Sequence, residues 1–265
     1  MDRAIKRRRW SLWKGAALRS RVFPITEDSV IEHDARYVPG YDFIDSDLTG
    51  RAVFKKHGEQ LEVFTANRRP LEHVMGVDLI YLNVTRENMV MLQYKMLEPR
   101  RIESETDWIY RPDGQLDDEI RRMRKFAAGS PPAADEYRLN PSFFYLKFVK
   151  RDAALGAGSI ITPLEHFEVL SEDPDARGPR GGLRVSYRSL AGCYMRAGAF
   201  LDLVRSGYIG SHAATTSHLK TLVTAILNGD RAVVAAIQQP SPDRRGEYDQ
   251  DSEDDDLAIE DDEFA

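Results

Sequence analysis

Runs of apolar residues and their spacing assign most of this chain to strands or helices. Residues 76–95, GVDLIYLNVTRENMVMLQYK, hold two strand-forming runs, 77–83 and 89–95, on either side of the polar VTREN, which is a β-hairpin pattern. QLEVFTA (60–66) alternates with the period of a strand, and SFFYLKFVK (142–150) is an apolar strand that ends in cations. In GQLDDEIRRMRKFAA (114–128), Leu116, Ile120, Met123 and Phe126 recur at helical spacing. Carboxylates early and cations late in that segment suit the helix dipole. SDLTGRAVFKKHG (46–58) reads as a helix ending at Gly58, so the order over 46–150 is helix, three strands, helix, strand. Further on, SIIT (159–162) and LRVSY (183–187) read as strands, 197–207 and 216–229 as helices, and RAVVAAIQ (231–238) as a closing buried strand.

Three stretches rich in Pro, Gly or charge interrupt these elements: 129–141, 171–182 and 238–247. The first reads as a loop inside a domain, the second as an exposed loop and the third as the start of the tail, in a chain of a basic N-terminal arm (1–45), an α/β core (46–150), an α+β annex (151–240) and an acidic tail (241–265) whose composition predicts disorder. Charge is split along the same lines. The whole chain carries −6, yet 243–265 alone holds 12 Asp and Glu against 2 Arg, or −10, which leaves +4 for residues 1–242. Residues 1–22 carry 8 Lys and Arg against 1 Asp. A basic body with an acidic tail suits a polyanion-binding protein whose tail competes for the basic surface; a merely solubilising tail is the plainer reading. With no apolar run of membrane-helix length, no secretory h-region and a single cysteine, Cys193, the expectation is a cytoplasmic protein without membrane contact.

The hairpin carries the candidate chemistry. With its turn centred near Thr85–Arg86, cross-strand partners sum to about 171 and Asp78 falls opposite Gln93. Lys95, two residues further along, returns to the same face. A carboxylate, an amide and an ammonium on one face suit metal-assisted phosphodiester hydrolysis: carboxylate and amide oxygens bind a hard cation, and the ammonium stabilises developing negative charge. A structural ion pair between Asp78 and Lys95 is the other reading, and a one-residue slip in register would separate the group.

The pattern GVD, fourteen residues, QYK resembles the PD-(D/E)XK nuclease superfamily. It is most similar to the Mrr-type restriction endonuclease branch, in which glutamine replaces the acid of the last motif. The resemblance covers about 46–150. It implies a restriction-endonuclease-like mixed sheet flanked by helices, a Mg²⁺ or Mn²⁺ cofactor, and cleavage of nucleic acid, DNA ahead of RNA, in a restriction or anti-phage defence setting. Position by position, Asp78 matches the metal-binding aspartate, Gln93 the substituted acid and Lys95 the motif lysine. The family also brings an acid from its first helix. The segment 46–58 offers only Asp47 for that role; among Glu59, Glu62 and Glu72, Glu72 is preferred because it lies just before Asp78. The expected metal ligands are therefore Asp78, Gln93 and Glu72.

Arg68 and Arg69 before the hairpin, and Arg100 and Arg101 after it, are candidate phosphate contacts; solvated loop charge is their ordinary role. Trp10 and Trp13, set among cations, are candidates for base stacking or for anchoring the arm. Cutting two strands would call for a homodimer or a partner subunit of a defence complex. The competing functions are a nuclease-fold protein that binds nucleic acid or acts as a scaffold without catalysis, and an interaction protein that binds only proteins.

Overall fold

The computed structural model describes residues 25–102, 105–126, 136–151 and 158–229. The arm through Val22, with Trp10 and Trp13, the 231–238 segment and the acidic tail lie outside the described residues.

The described residues begin with α1 (Glu27–Arg36), where Thr26 caps the helix by accepting from Ser29 N–H at 3.3 Å. Three antiparallel strands follow: β1 (Asp42–Ser46), β2 (Arg51–Lys56) and β3 (Glu59–Thr65). The predicted helix at 46–58 is instead the last residue of β1, the whole of β2 and two turns. Asp47 accepts from Thr49 and Arg51 N–H groups in the first turn. His57 and Gly58, at φ 47° and 86°, make the second, a two-residue connection with both residues in the left-handed region. A short helix, α2 (Pro70–Met75), leads into β4 (Leu79–Asn83), β5 (Asn88–Ile102) and β6 (Glu105–Tyr110). Next come α3 (Gly114–Phe126), β7 (Phe144–Lys150), β8 (Ile160–Pro163), α4 (Leu164–Glu172), β9 (Val185–Ser186), α5 (Tyr187–Leu190), α6 (Ala197–Ser206) and α7 (Ala213–Leu227).

The nine strands among the described residues belong to one mixed sheet with a path β1-β2-β3-β4-β5-β6-β9; β7 pairs with β5 off this path, and β8 pairs with β7. The β5–β7 pairing is parallel, from Met91–Phe144 to Leu97–Lys150, and the other pairings are antiparallel. A parallel neighbour requires a crossover, which α3 and the segment after it provide. Along β4 and β5 the side chains alternate between two cores. Ile80, Leu82, Met89, Met91 and Leu97 pack with Leu71, Met75, Leu116, Met123 and Phe167 on the side of α2, α3 and α4. Leu79, Tyr81, Val90, Leu92 and Tyr94 pack with Val30, Ile31, Phe200 and Val204 on the side of α1 and α6. The result is an α/β fold with a mixed parallel and antiparallel sheet covered by helices on both faces.

Elements of the 151–229 segment are built into this arrangement. Asn83 and Asn88 face each other across the hairpin, and both donate to Val204 O at the end of α6, at 3.1 and 3.0 Å. No helix among the described residues is long and apolar enough to cross a membrane.

Candidate active site

The hairpin register is the one the sequence suggested. Pairs run from Asn83–Asn88 to Leu79–Leu92, each summing to 171; the ladder ends there, and Asp78, one residue before β4, bonds through its N–H to Leu92 O where a continued register would set it opposite Gln93. Asn83 Oδ1 accepts from the N–H groups of Thr85 and Arg86 at 3.1 and 3.0 Å, which fixes the turn and therefore the register. By alternation along β5, Gln93 and Lys95 face the α2–α3 side, and Asp78, Gln93 and Lys95 are 1%, 2% and 7% exposed.

Asp78 is held by its own backbone. Its N–H donates to Leu92 O at 2.8 Å, and its C=O accepts from Ala66 and Asn67 N–H at 2.7 and 3.1 Å. Its carboxylate accepts from Tyr94 N–H at 2.7 Å. Tyr94 is anchored in turn on the opposite face, where its hydroxyl donates to Asp34 Oδ2 at 2.7 Å. Lys147 also pairs with Asp34. Burial would raise the Asp34 carboxyl, but Lys147, Tyr94 and His33 together hold it below its ordinary value.

Two further acids reach this group, and sequence reasoning passed over both. Glu119 of α3 is 1% exposed, and its Oε2 lies 2.5 Å from Lys95 Nζ in a buried ion pair. Gln115 Nε2 donates to Glu119 Oε1 at 3.0 Å. Its signal was present in the sequence: Glu119 lies three residues after Leu116 and four before Met123, so a charge interrupts the apolar stripe of α3. Gly76 brings this helix close. At φ 72° it ends α2, and a Cβ there would stand 2.8 Å from Glu119 O.

Glu27, in the first turn of α1, is the second. A chain of contacts positions it: Asn67, bonded through its N–H to Asp78 O, donates through its side chain to Asp28 Oδ1 at 2.9 Å, next to Glu27. Arg68 pairs with Asp28 Oδ2 at 2.7 Å. The first helix of the fold is therefore α1, and Asp47, the only acid the sequence offered for that helix, lies in the β1–β2 turn bonded to Thr49. The start signals were legible here too: Pro24, Thr26 as cap, then Glu27 and Asp28.

Glu72 sits on α2, half-buried, with its carboxylate accepting from Arg68 N–H. It is close enough to raise the Asp78 pKa. Glu59 and Glu62 are committed elsewhere, to Tyr41 OH at 2.7 Å and to Arg51 at 2.9 and 2.7 Å.

Negative charge exceeds positive around Lys95. Burial pushes the Asp78 carboxyl well above the usual carboxylate range; the Tyr94 N–H opposes this, Glu27 and Glu72 add to it, and Lys95 lowers it. Glu27 and Glu119 are also raised, first by burial, with Lys95 opposing in both cases. Gln93 Oε1 is buried with no hydrogen-bond partner among the described residues. Gln93 Nε2 donates to Tyr94 O at 3.4 Å, and an unpaired amide oxygen of this kind suits a hard cation. Among the described residues, however, no three His, Cys, Asp or Glu side chains are gathered closely enough to hold a metal by themselves.

Lys95 and Glu27 line a cleft of about 510 Å³, together with Arg68, Tyr110, Arg111 and Arg151. Of the four arginines picked out by sequence, Arg68 lines this cleft. Arg69 instead donates to Thr49 O at 2.6 Å and holds the β1–β2 turn. Arg100 and Arg101 are exposed on the part of β5 that pairs with β6. Comparison with known proteins gives no matching family model, no matching curated protein and no matching solved structure.

Proposed function

We propose that the protein is a metal-dependent nuclease with a restriction-endonuclease-like fold, and that it hydrolyses phosphodiester bonds of nucleic acid, DNA ahead of RNA. The observation that carries this reading is the group built around Asp78. A buried carboxylate, a buried unpaired amide oxygen and a lysine come from the same hairpin, Lys95 and Glu27 line an open cleft, and Glu27 and Glu72 act on the Asp78 carboxylate. Burying that much charge without a ligand is unfavourable, and a cation would relieve it.

Asp78, Glu27 and Gln93 Oε1 would hold Mg²⁺ or Mn²⁺, with Glu72 alongside; when bound, the ion polarises a phosphoryl oxygen and lowers the pKa of its water. The chain's own residues do the rest. Lys95 stabilises charge developing on the phosphoryl group, and its pair with Glu119 orients the ammonium before substrate arrives. Arg68, Arg111 and Arg151 line the path of the strand and neutralise neighbouring phosphates. The resemblance to Mrr-type enzymes supports a restriction or anti-phage role, with a second copy or a partner subunit where both strands are cut.

The Lys95–Glu119 pair also favours a second reading, because it keeps the ammonium engaged: a nuclease-fold protein that binds nucleic acid and does not cut it. Incubation with single- and double-stranded DNA and RNA, with Mg²⁺, Mn²⁺ or EDTA, separates the two. The nuclease reading predicts metal-dependent products that disappear in Asp78→Ala and Lys95→Ala variants that remain folded. Salt-sensitive binding without products, indifferent to EDTA, would establish the second reading.

A further inference from the structure

Tyr110 closes β6 and lines the same cleft as Lys95 and Glu27. It is 7% exposed, and its ring packs against Phe148 at a centroid distance of 5.3 Å. Its hydroxyl is buried and has no hydrogen-bond partner among the described residues. A phenylalanine would fill the same space against Phe148 without burying an unpaired hydroxyl, so packing does not account for this group. The groups acting on it are carboxylates: burial first, then Asp113, Glu119 and Glu27, push its pKa upward, which keeps the proton on and leaves the hydroxyl a donor, not a nucleophile. Tyr110, whose hydroxyl is a neutral donor just beneath the surface, thus lines one cleft with Lys95, and Arg111, without an ion-pair partner among the described residues, lines the same space.

We infer that the Tyr110 hydroxyl donates a hydrogen bond to a phosphoryl oxygen of a nucleic-acid strand lying in the cleft, beside Lys95. The inference rests on the phosphodiester reading above and adds a residue that the hairpin pattern does not contain. The ligand it implies is a phosphodiester, because a neutral donor with cations beside it suits an oxygen that gains charge during the reaction. The proton stays on Tyr110 throughout, so no covalent step passes through it.

The test is Tyr110→Phe in the full chain, assayed on the DNA and RNA panel with Mg²⁺ and Mn²⁺, with a thermal melt of each protein. The expected result is an unchanged or higher melting temperature, a kcat lower on the order of 100-fold and a KM within about twofold of the parent. A parent that cuts and a variant that cuts equally well would overturn the inference and leave the nuclease reading standing. A variant that melts lower would also overturn it, by showing that the hydroxyl has a structural partner. A parent that cuts none of the substrates would remove the nuclease reading, and this inference with it.

Discussion

Replacing Lys95 with methionine removes the ammonium that acts on Glu27, Asp78 and Glu119. Methionine keeps the volume, so the main loss is electrostatic. Glu119, 1% exposed and 2.5 Å from the missing ammonium, then loses its ion-pair partner and keeps the weaker influence of Arg122. Its escape is to take a proton, and that sets a ceiling. Protonating a carboxyl of ordinary pKa 4.5 at pH 7 costs about 3 kcal/mol, at 1.36 kcal/mol per pH unit. At pH 5 the same escape costs only about 0.7 kcal/mol. The variant should therefore lose about 2–3 kcal/mol at pH 7, roughly 5–10 °C in melting temperature, and under about 1 kcal/mol at pH 5. Adding Glu119→Leu should recover most of the loss, because it removes the unpaired charge along with its partner. Urea denaturation of the parent, the single and the double variant at both pH values measures this directly. A Lys95→Met protein as stable as the parent at pH 7, or destabilised equally at pH 5, would refute the buried pair.

Other outcomes follow from the same site. Glu27, Asp78 and Glu119 sit above their ordinary values of 4.5, 3.8 and 4.5, so the stability they contribute is complete below those values and is lost as pH rises through the folded ones. Asp34 and Glu62, held below their ordinary values, act in the opposite sense and only in more acidic solution. Thermal melts without metal should accordingly show stability falling from pH 5 to pH 8, with a shallower fall in Asp78→Asn; a rising curve would contradict the assignment. Gly76→Ala puts a side chain at φ 72° and 2.8 Å from Glu119 O, and should cost about 2 kcal/mol or more in urea denaturation.

The sequence revealed the parts of the fold that carry strong periodicity. The 76–95 hairpin was legible to its register because two long apolar runs and an Asn-bounded turn leave only one pairing that keeps each face uniform. Helix α3 was legible from its stripe, and β7 from its apolar run. Residues 46–58 are ambiguous in the sequence because Val53 and Phe54 fit either period, and Gly58 suits a helix end as well as the two-residue turn that it forms with His57. Helix α1 went unnoticed although it has a cap and an acidic first turn, because its apolar residues, Val30, Ile31 and Ala35, are few. That omission hid Glu27. Glu119 was hidden for a different reason: a glutamate in a helical stripe shows its meaning only when Gly76 lets that helix reach the strand that leads to Asp78. Lys147 and Asp34 meet only through the parallel pairing of β5 with β7, which no local pattern encodes.

The central claim is that the side chains gathered at Asp78 take up a divalent cation beside Lys95. Titration of the metal-free protein with Mn²⁺, following free Mn²⁺ by electron paramagnetic resonance, tests it without requiring a substrate. The account predicts saturable binding that is lost in Asp78→Asn and weakened in Gln93→Leu and Glu27→Gln, in proteins that still melt cooperatively. Identical isotherms for the parent and Asp78→Asn, or no binding by either, would contradict it.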